Sequence, residues 1–185
     1  MTDLQKFLLF GLDYTWLRLK ESFEPLSDEQ VKWRPSNVSN SAGAILLHIA
    51  RMNDSMANRR FLKQPQLWDK EGGDWKTKLN FPNPAGGATS ENGWTFDQIP
   101  LIENKIALHQ IEDYFLAARE RVKKAIMEST PELLAVPVND GNSHHAGWTN
   151  QSWLEHIPLH ESHHQGQLDY VAGLCRALTK ATAKV

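Results

Sequence analysis

Six of the eight histidines of this 185-residue chain lie between positions 144 and 164. Two of them, His160 and His164, are four residues apart, a spacing that places side chains on one face of an α-helix. Imidazoles one helical turn apart can bind the same metal ion through their ring nitrogens. The first chemistry that these residues indicate is therefore coordination of a divalent metal ion.

Both histidines fall on an apolar stripe of the segment that follows residue 149. At about 100° per residue, one arc of about 80° contains Trp153, Ile157, His160, His164, Leu168, Val171, Cys175 and Leu178. Since the other members are apolar or carry a small thiol, the stripe is predicted to face a helical core. His160 and His164 are then inward, whereas His156 and His163 are expected on a flank or in solvent, like His144 and His145.

His48 is the strongest candidate for a third ligand. It shares an arc with Ile45 and Met52, the predicted core face of an earlier helix. A single inward histidine is more often a hydrogen-bonded core residue than a ligand, and that alternative stays open for His48. For the pair, leaving two buried imidazoles without partners is costly, which favours a shared ion.

The same segment fits a second motif, because His160-Glu161-Ser162-His163-His164 has the H-E-x-x-H pattern of zinc peptidases. In that motif the glutamate is a general base. The glycine spacing and third histidine of metzincins are missing here, and Asp169 is the one carboxylate side chain after Glu161. A peptidase is therefore disfavoured, while an acid/base role of Glu161 beside a metal-bound water stays open.

Four helical segments are predicted to position these residues. They run from about 3 to 23, 40 to 62, 101 to 129 and 149 to 178, and Pro25, Pro65 and Pro131 close the first three. Pro158 predicts a bend or a false start in the fourth. A short capped helix is expected near Leu26–Gln30.

The segment from 65 to 100 is rich in proline and glycine and includes Trp68, Trp75 and Trp94. Its composition predicts a long crossover loop, and no segment of the chain alternates as a strand would. The predicted fold is therefore all-α: a single domain over residues 1–185, folded as a four-helix bundle with a long crossover loop between the second and third helices.

Composition excludes several classes of function. The chain has 41% hydrophobic and 23% charged residues, a mean hydropathy of -0.50 and a formal net charge of -2. These values predict a globular protein with no membrane span and with no basic field for nucleic acid. The single Cys175 and a start without the blocks of a signal peptide predict a cytoplasmic location.

Three stretches of the sequence resemble the DinB-like family. Ser41–Arg51 is similar to the second-helix signature of that family, and His160–Leu168 is similar to its fourth-helix signature. Residues 26–35, which include Trp33-Arg34-Pro35, resemble its stretch between the first two helices. The two histidine segments are about 110 residues apart and fall in the matching helices, which makes the joint resemblance specific.

The resemblance implies a four-helix bundle that binds a divalent metal ion through three histidines, which map onto His48, His160 and His164. Zinc or nickel is expected first, and iron, cobalt, copper or manganese are also compatible with the family. Related proteins include bacillithiol transferase and mycothiol-dependent maleylpyruvate isomerase, which implies a low-molecular-weight thiol, and homodimers are common. Gln165 stands where many relatives carry a basic residue.

Three functions remain open at this point. Three neutral imidazoles leave coordination positions free, which is typical of a catalytic site. The leading hypothesis is a thiol-dependent S-transferase for a small electrophile that enters beside the crossover loop. The alternatives are hydrolysis by metal-bound hydroxide, with Glu161 or Asp54 moving the proton, and a non-enzymatic stress-response metal-binding protein.

Overall fold

The computed structural model describes residues 1–80 and 107–182. Within these ranges the secondary structure is helical, and an isolated antiparallel bridge between Pro137 and Thr149 is the one extended pairing. The α-helices are α1 Asp3–Phe23, α2 Asp28–Lys32, α3 Ala42–Ser55, α4 Trp75–Lys78, α5 Leu108–Glu128, α6 Pro131–Leu134 and α7 Asn150–Thr182. A π-helix, Met56–Leu62, continues α3, and Ser143–His145 form one 3₁₀ turn. The all-α class is confirmed.

The four long helices α1, α3, α5 and α7 pack against one another. α3 lies against both α5 and α7, and α1 lies mainly against α7 and touches α5. The predicted third helix begins at Leu108 in the described part of the chain, whereas its predicted start near Leu101 and most of the crossover loop, with Trp94, lie outside the described residues. Trp68 and Trp75 pack against Tyr114 of α5, with ring centroids 5.6 and 5.5 Å away.

Helix starts follow the capping residues of the sequence. Thr2 and Ser27 form capping boxes with Gln5 and Gln30, and the Ser41 hydroxyl accepts a hydrogen bond from the Ala44 amide at 3.1 Å. α7 runs through Pro158 without a false start. Pro158 lies against Gly11 of α1, where an added Cβ would lie 3.3 Å from the proline Cβ, so a small residue permits this approach.

The predicted second helix changes geometry at Met56. The Asn58 side-chain amide donates to the Asp54 carbonyl at 3.3 Å, which is the acceptor that an α-helix gives to the Asn58 backbone amide. From Met56 to Leu62 the chain is a π-helix, closed by Lys63 in the left-handed region at φ 52°. The wider turns change the directions in which the side chains after Met56 project.

The buried core consists of two apolar clusters. One includes Leu19, Ala50, Ala118 and Leu168, and the other includes Leu12, Met56, Val122 and Ile157. Each of the four long helices, α3 together with its π-helical continuation, therefore contributes to both clusters. Buried polar side chains occupy the boundary between the clusters, and Glu161 is the one among them that the sequence analysis names. Among the described helices, none has the length and apolar character needed to cross a membrane.

Candidate metal centre

The structure brings His48 of α3 together with His160 and His164 of α7. The Nε2 atom of His160 lies 3.3 Å from Nε2 of His48 and 3.1 Å from Nε2 of His164. One ligand nitrogen from each of the three residues lies within 4.8 Å of the others. The two helices position these rings because the spacing of four in α7 stacks His160 and His164 on one face, opposite His48.

The hydrogen bonds of the three imidazole rings leave nitrogen lone pairs available where the rings meet. Nδ1 of His164 lies 2.8 Å from the Gln167 Oε1 atom. If Nδ1 carries the proton of this bond, Nε2 is left unprotonated and suited to bind a metal ion. Nδ1 of His160 is buried and has no partner among the described residues.

Burial keeps the three imidazoles neutral. Burial, together with repulsion from His164, lowers the pKa of His48 from 6.5 to about 4 and that of His160 to about 3. Burial also lowers the pKa of His164. Three unprotonated nitrogens that point at one spot repel one another unless a proton or a cation lies among them. The donor set therefore fits a divalent ion of the kind that binds imidazole, such as zinc, nickel or cobalt.

Glu161 does not face this centre. Residues i and i+1 of a helix point about 100° apart, so the carboxylate next to His160 turns towards α1 and α5. There it is fully buried, and Arg119 Nη1 donates to both carboxylate oxygens at 2.7 Å. Asn53 donates to Oε1 at 2.7 Å and Thr15 donates to Oε2. The expected acid/base role of Glu161 has no support in this placement, since both oxygens are engaged in a buried ion pair.

Each long helix contributes one residue to this buried group, which we call the polar layer: Thr15, Asn53, Arg119 and Glu161. They lie at the boundary between the two apolar clusters, next to the histidines in the sequence of α7. Arg119 also donates to the Leu12 carbonyl of α1. The hydrogen bonds of the polar layer therefore connect all four long helices at the residue next to His160.

Asp54, the other carboxylate considered for proton transfer, anchors the start of the crossover connection. Its oxygens accept from the Leu67 amide at 2.8 Å, the Trp68 amide at 2.9 Å and the Tyr114 hydroxyl at 2.7 Å. Burial and the nearby Asp54 carboxylate raise the pKa of Tyr114, so this hydroxyl stays a donor. The position of Asp54 is thus accounted for by loop attachment.

The remaining histidines of the cluster separate into surface and near-site positions. His144 and His163 are exposed, as predicted. His156 is half-buried, and its ring centroid lies 5.7 Å from that of His160. Nδ1 of His145 lies 2.7 Å from Asp140 Oδ2. None of these four belongs to the ligand group found among the described residues.

Sequence reasoning missed Arg119 and Gln167. The sequence does indicate that Arg119 is buried, because it lies four residues after Phe115 and three before Val122 on the apolar face of α5. A charge at such a position predicts a buried partner, although not which one. Gln167 lies three residues after His164, a spacing at which a helical side chain can reach the ring.

Replacing Gln167 by leucine is expected to weaken zinc binding about tenfold, because the ring of His164 loses the acceptor that orients it. Loss of a residue that hydrogen-bonds to a metal ligand lowers metal affinity about 10–100-fold, and we expect the low end of this range because Gln167 is exposed. Competition with a chromophoric chelator measures the change, and Gln151→Leu, an exposed glutamine on the same helix, is the control. An unchanged dissociation constant for Gln167→Leu would contradict the assigned hydrogen bond.

The lowered histidine pKa values predict a pH dependence of the metal-free protein. The unfolded chain takes up protons near pH 6.5, whereas His48 and His160 in the folded chain do so near 4 and 3. The stability that these two residues contribute is therefore fully present above pH 6.5 and is lost as the pH falls through 4 and 3, by about 2–4 kcal/mol at pH 5. Urea unfolding of chelator-treated protein at pH 7 and pH 5 measures it.

His48→Leu is expected to reduce this pH dependence, because one of the two buried imidazoles is removed. His109→Ala, a change at an exposed histidine of α5, is the control and should behave like the unchanged protein. Equal unfolding free energies at pH 7 and pH 5 in the unchanged protein would show that the histidines are not buried in the neutral form.

Comparison with known proteins gives one family and one fold. A family model described as the DinB superfamily matches residues 12–168. The crystal structure of a conserved protein from Enterococcus faecalis is similar, with a TM-score of 0.80 and 17% sequence identity, over 96% of this chain and 99% of that chain. At this identity the similarity shows the fold alone. A search of curated proteins finds no significant match.

Proposed function

The chain belongs to the DinB superfamily, and from this premise we propose that it binds a divalent metal ion through His48, His160 and His164 for chemistry on a small substrate. One observation carries the proposal: the Nε2 atoms of three neutral, half-buried imidazoles converge, with separations of 3.1 and 3.3 Å at His160. When bound, a divalent ion with three imidazole ligands keeps open positions and acts as a Lewis acid that acidifies a coordinated water or thiol.

The residues around the triad prepare it for this task. Gln167 orients the ring of His164, and the polar layer holds α7 against α1, α3 and α5 so that His160 keeps its distance from His48. The apolar residues on either side, Ile157 and Leu168, are buried in the bundle. A binding site held by rigid helices in this way loses little free energy on ordering when the ion binds.

The finer proposal is a thiol-dependent S-transferase. In this reaction the sulfur of a low-molecular-weight thiol forms a bond to an electrophilic carbon, and the thiol proton and the leaving group are released. Resemblance to thiol-dependent members of the family supports the thiol. The engagement of Glu161 and Asp54 in other contacts disfavours hydrolysis, since those were the carboxylates expected to move its proton.

Titration of chelator-treated protein with Co²⁺ and Zn²⁺ tests the metal site. We expect one ion per chain, with visible Co²⁺ absorption bands typical of four or five ligands. Relaxation of solvent protons by the Co²⁺ form should show an exchangeable ligand position. A chain that binds neither ion overturns the whole proposal, and a bound ion without exchangeable water overturns its catalytic part in favour of a structural ion.

The transferase is tested with the metal-loaded protein, a panel of low-molecular-weight thiols and a chloronitrobenzene electrophile. We expect thiol conjugation that stops on chelation and returns when metal is restored. The same protein is assayed against esters and amides. Conjugation that is unaffected by chelation, or turnover of esters or amides without thiol, would contradict the transferase.

A further inference from the structure

Two adjoining cavities lie between the π-helix that follows α3 and the start of α7. The first cavity, about 380 Å³, is lined by Met52, Met56, Arg60, His145 and Trp153 among others. The second cavity, about 440 Å³, shares Met56, Arg60 and Asp140 with the first and has Arg59 and Lys63 at its rim. Together they have the size of a pocket for a small molecule.

Some residues that line the first cavity lie one to two helical turns from the triad, although no triad histidine lines it. Met52 follows His48 by one turn of α3, a rise of about 6 Å, and Trp153 precedes His160 by about two turns of α7. The ring centroid of His156 lies 5.7 Å from those of both Trp153 and His160, so aromatic rings connect the cavity wall to the triad. A small molecule in this cavity can therefore reach towards the three histidines.

Arg60 is the charged group that both cavities share. The π-helix projects it from the end of α3, where it is half-buried and its guanidinium lies 5.2 Å from the centre of the Trp153 ring. It donates one hydrogen bond within the described chain, to Asn150 Oδ1 at 3.3 Å. Burial lowers the pKa of Arg60. A guanidinium has five N–H donors, so most of them remain available to an acceptor in the cavity.

Asp140 is the nearby carboxylate, but its oxygens are directed to its own loop. Oδ1 accepts from the Asn142 amide at 3.0 Å, and Oδ2 lies 2.7 Å from Nδ1 of His145. These two bonds lower the pKa of Asp140 and keep it ionised. Asp140 attracts Arg60 electrostatically, which partly offsets the lowering of the Arg60 pKa by burial, but no hydrogen bond or close ion pair joins the two side chains in the described part of the chain. The N–H groups of the guanidinium are therefore not bonded to this carboxylate.

We infer that the first cavity binds the carboxylate of a small organic acid on Arg60, with its carbon skeleton against Met52, Met56 and Trp153 and its electrophilic carbon towards the triad. A planar carboxylate matches the two parallel N–H groups of a guanidinium. Arg59 and Lys63 at the rim of the second cavity add positive potential that attracts anions. This inference rests on the proposed function and names the substrate class: carboxylated electrophiles.

The test compares two probes that differ in the carboxylate. Calorimetric titration of 4-chloro-3-nitrobenzoate and of 4-chloro-3-nitrobenzamide, without thiol, measures binding to the zinc-loaded and the metal-free protein. We expect the benzoate to bind about tenfold or more tightly than the amide in both states, since the preference comes from Arg60 and not from the ion. Equal affinities for the two probes would overturn the inference.

Arg60→Gln should remove the preference, and Arg60→Met, which keeps the apolar stem of the side chain, should do the same. Arg18→Gln, a change at an exposed arginine of α1, is the control and should keep it. A preference that persists in both Arg60 variants overturns the inference. Zinc affinity measured on the same samples separates the two proposals. If the unchanged protein binds zinc but shows no preference for the carboxylate probe, this inference alone is refuted. If the unchanged protein does not bind zinc, the proposed function is refuted.

Discussion

His160→Ala is expected to weaken zinc binding by more than about 100-fold and to abolish thiol conjugation. His160 is the central residue of the proposed metal site, because its Nε2 atom lies within 3.3 Å of both other Nε2 atoms. Replacing a residue that only hydrogen-bonds to a ligand already lowers metal affinity about 10–100-fold, so the loss of a ligand itself should exceed that range. Chelator competition measures the affinity, and metal content after gel filtration measures occupancy.

His163→Ala provides the matched control. His163 lies on the same helix one residue from His164, but it is exposed and outside the ligand group. Its removal should change zinc affinity less than about threefold, which is within the variation expected of surface substitutions. The assignment of the triad fails if the two variants bind zinc equally well, or if His160→Ala retains thiol conjugation without bound metal.

Arg119→Met is expected to destabilise the protein by about 3–5 kcal/mol, because it leaves the carboxylate of Glu161 buried without its cationic partner. Both side chains of this pair are almost entirely inaccessible, and their atoms are 2.7 Å apart. Thr15 and Asn53 can still donate to the carboxylate but cannot neutralise it. Chemical denaturation monitored by circular dichroism measures the change in the free energy of unfolding.

Lys123→Met is the control on the same helix, since Lys123 pairs with Asp13 at 3.3 Å on the surface. An exposed pair of this kind contributes about 0–1 kcal/mol. The double variant Arg119→Met/Glu161→Leu should recover part of the stability lost in the single variant, because no unpaired charge remains buried. If Arg119→Met lowers the free energy of unfolding as little as Lys123→Met does, the ion pair is not buried in solution.

Local periodicity allowed much of this site to be predicted. The spacing of four between His160 and His164, on a stripe that continues to Ile157 and Leu168, shows from sequence that both rings share the inward face of a helix. The same kind of periodicity placed His48 inward, and Pro131 marked a helix boundary that the structure shows. These features depend on residues within one helix, which is why the sequence suffices for them.

Contacts between helices were decided by the tertiary structure. The sequence left an acid/base role open for Glu161, and only packing shows that it turns to Arg119, 42 residues away, and to Thr15, 146 residues away. The change to a π-helix at Met56 involves the competition of Asn58 for the Asp54 carbonyl, which helical periodicity does not reveal. The position of Arg60 beside Trp153 likewise follows from the meeting of two distant segments. Periodicity determines which face of a helix is buried, whereas the partner of each buried polar group depends on how the helices meet in space.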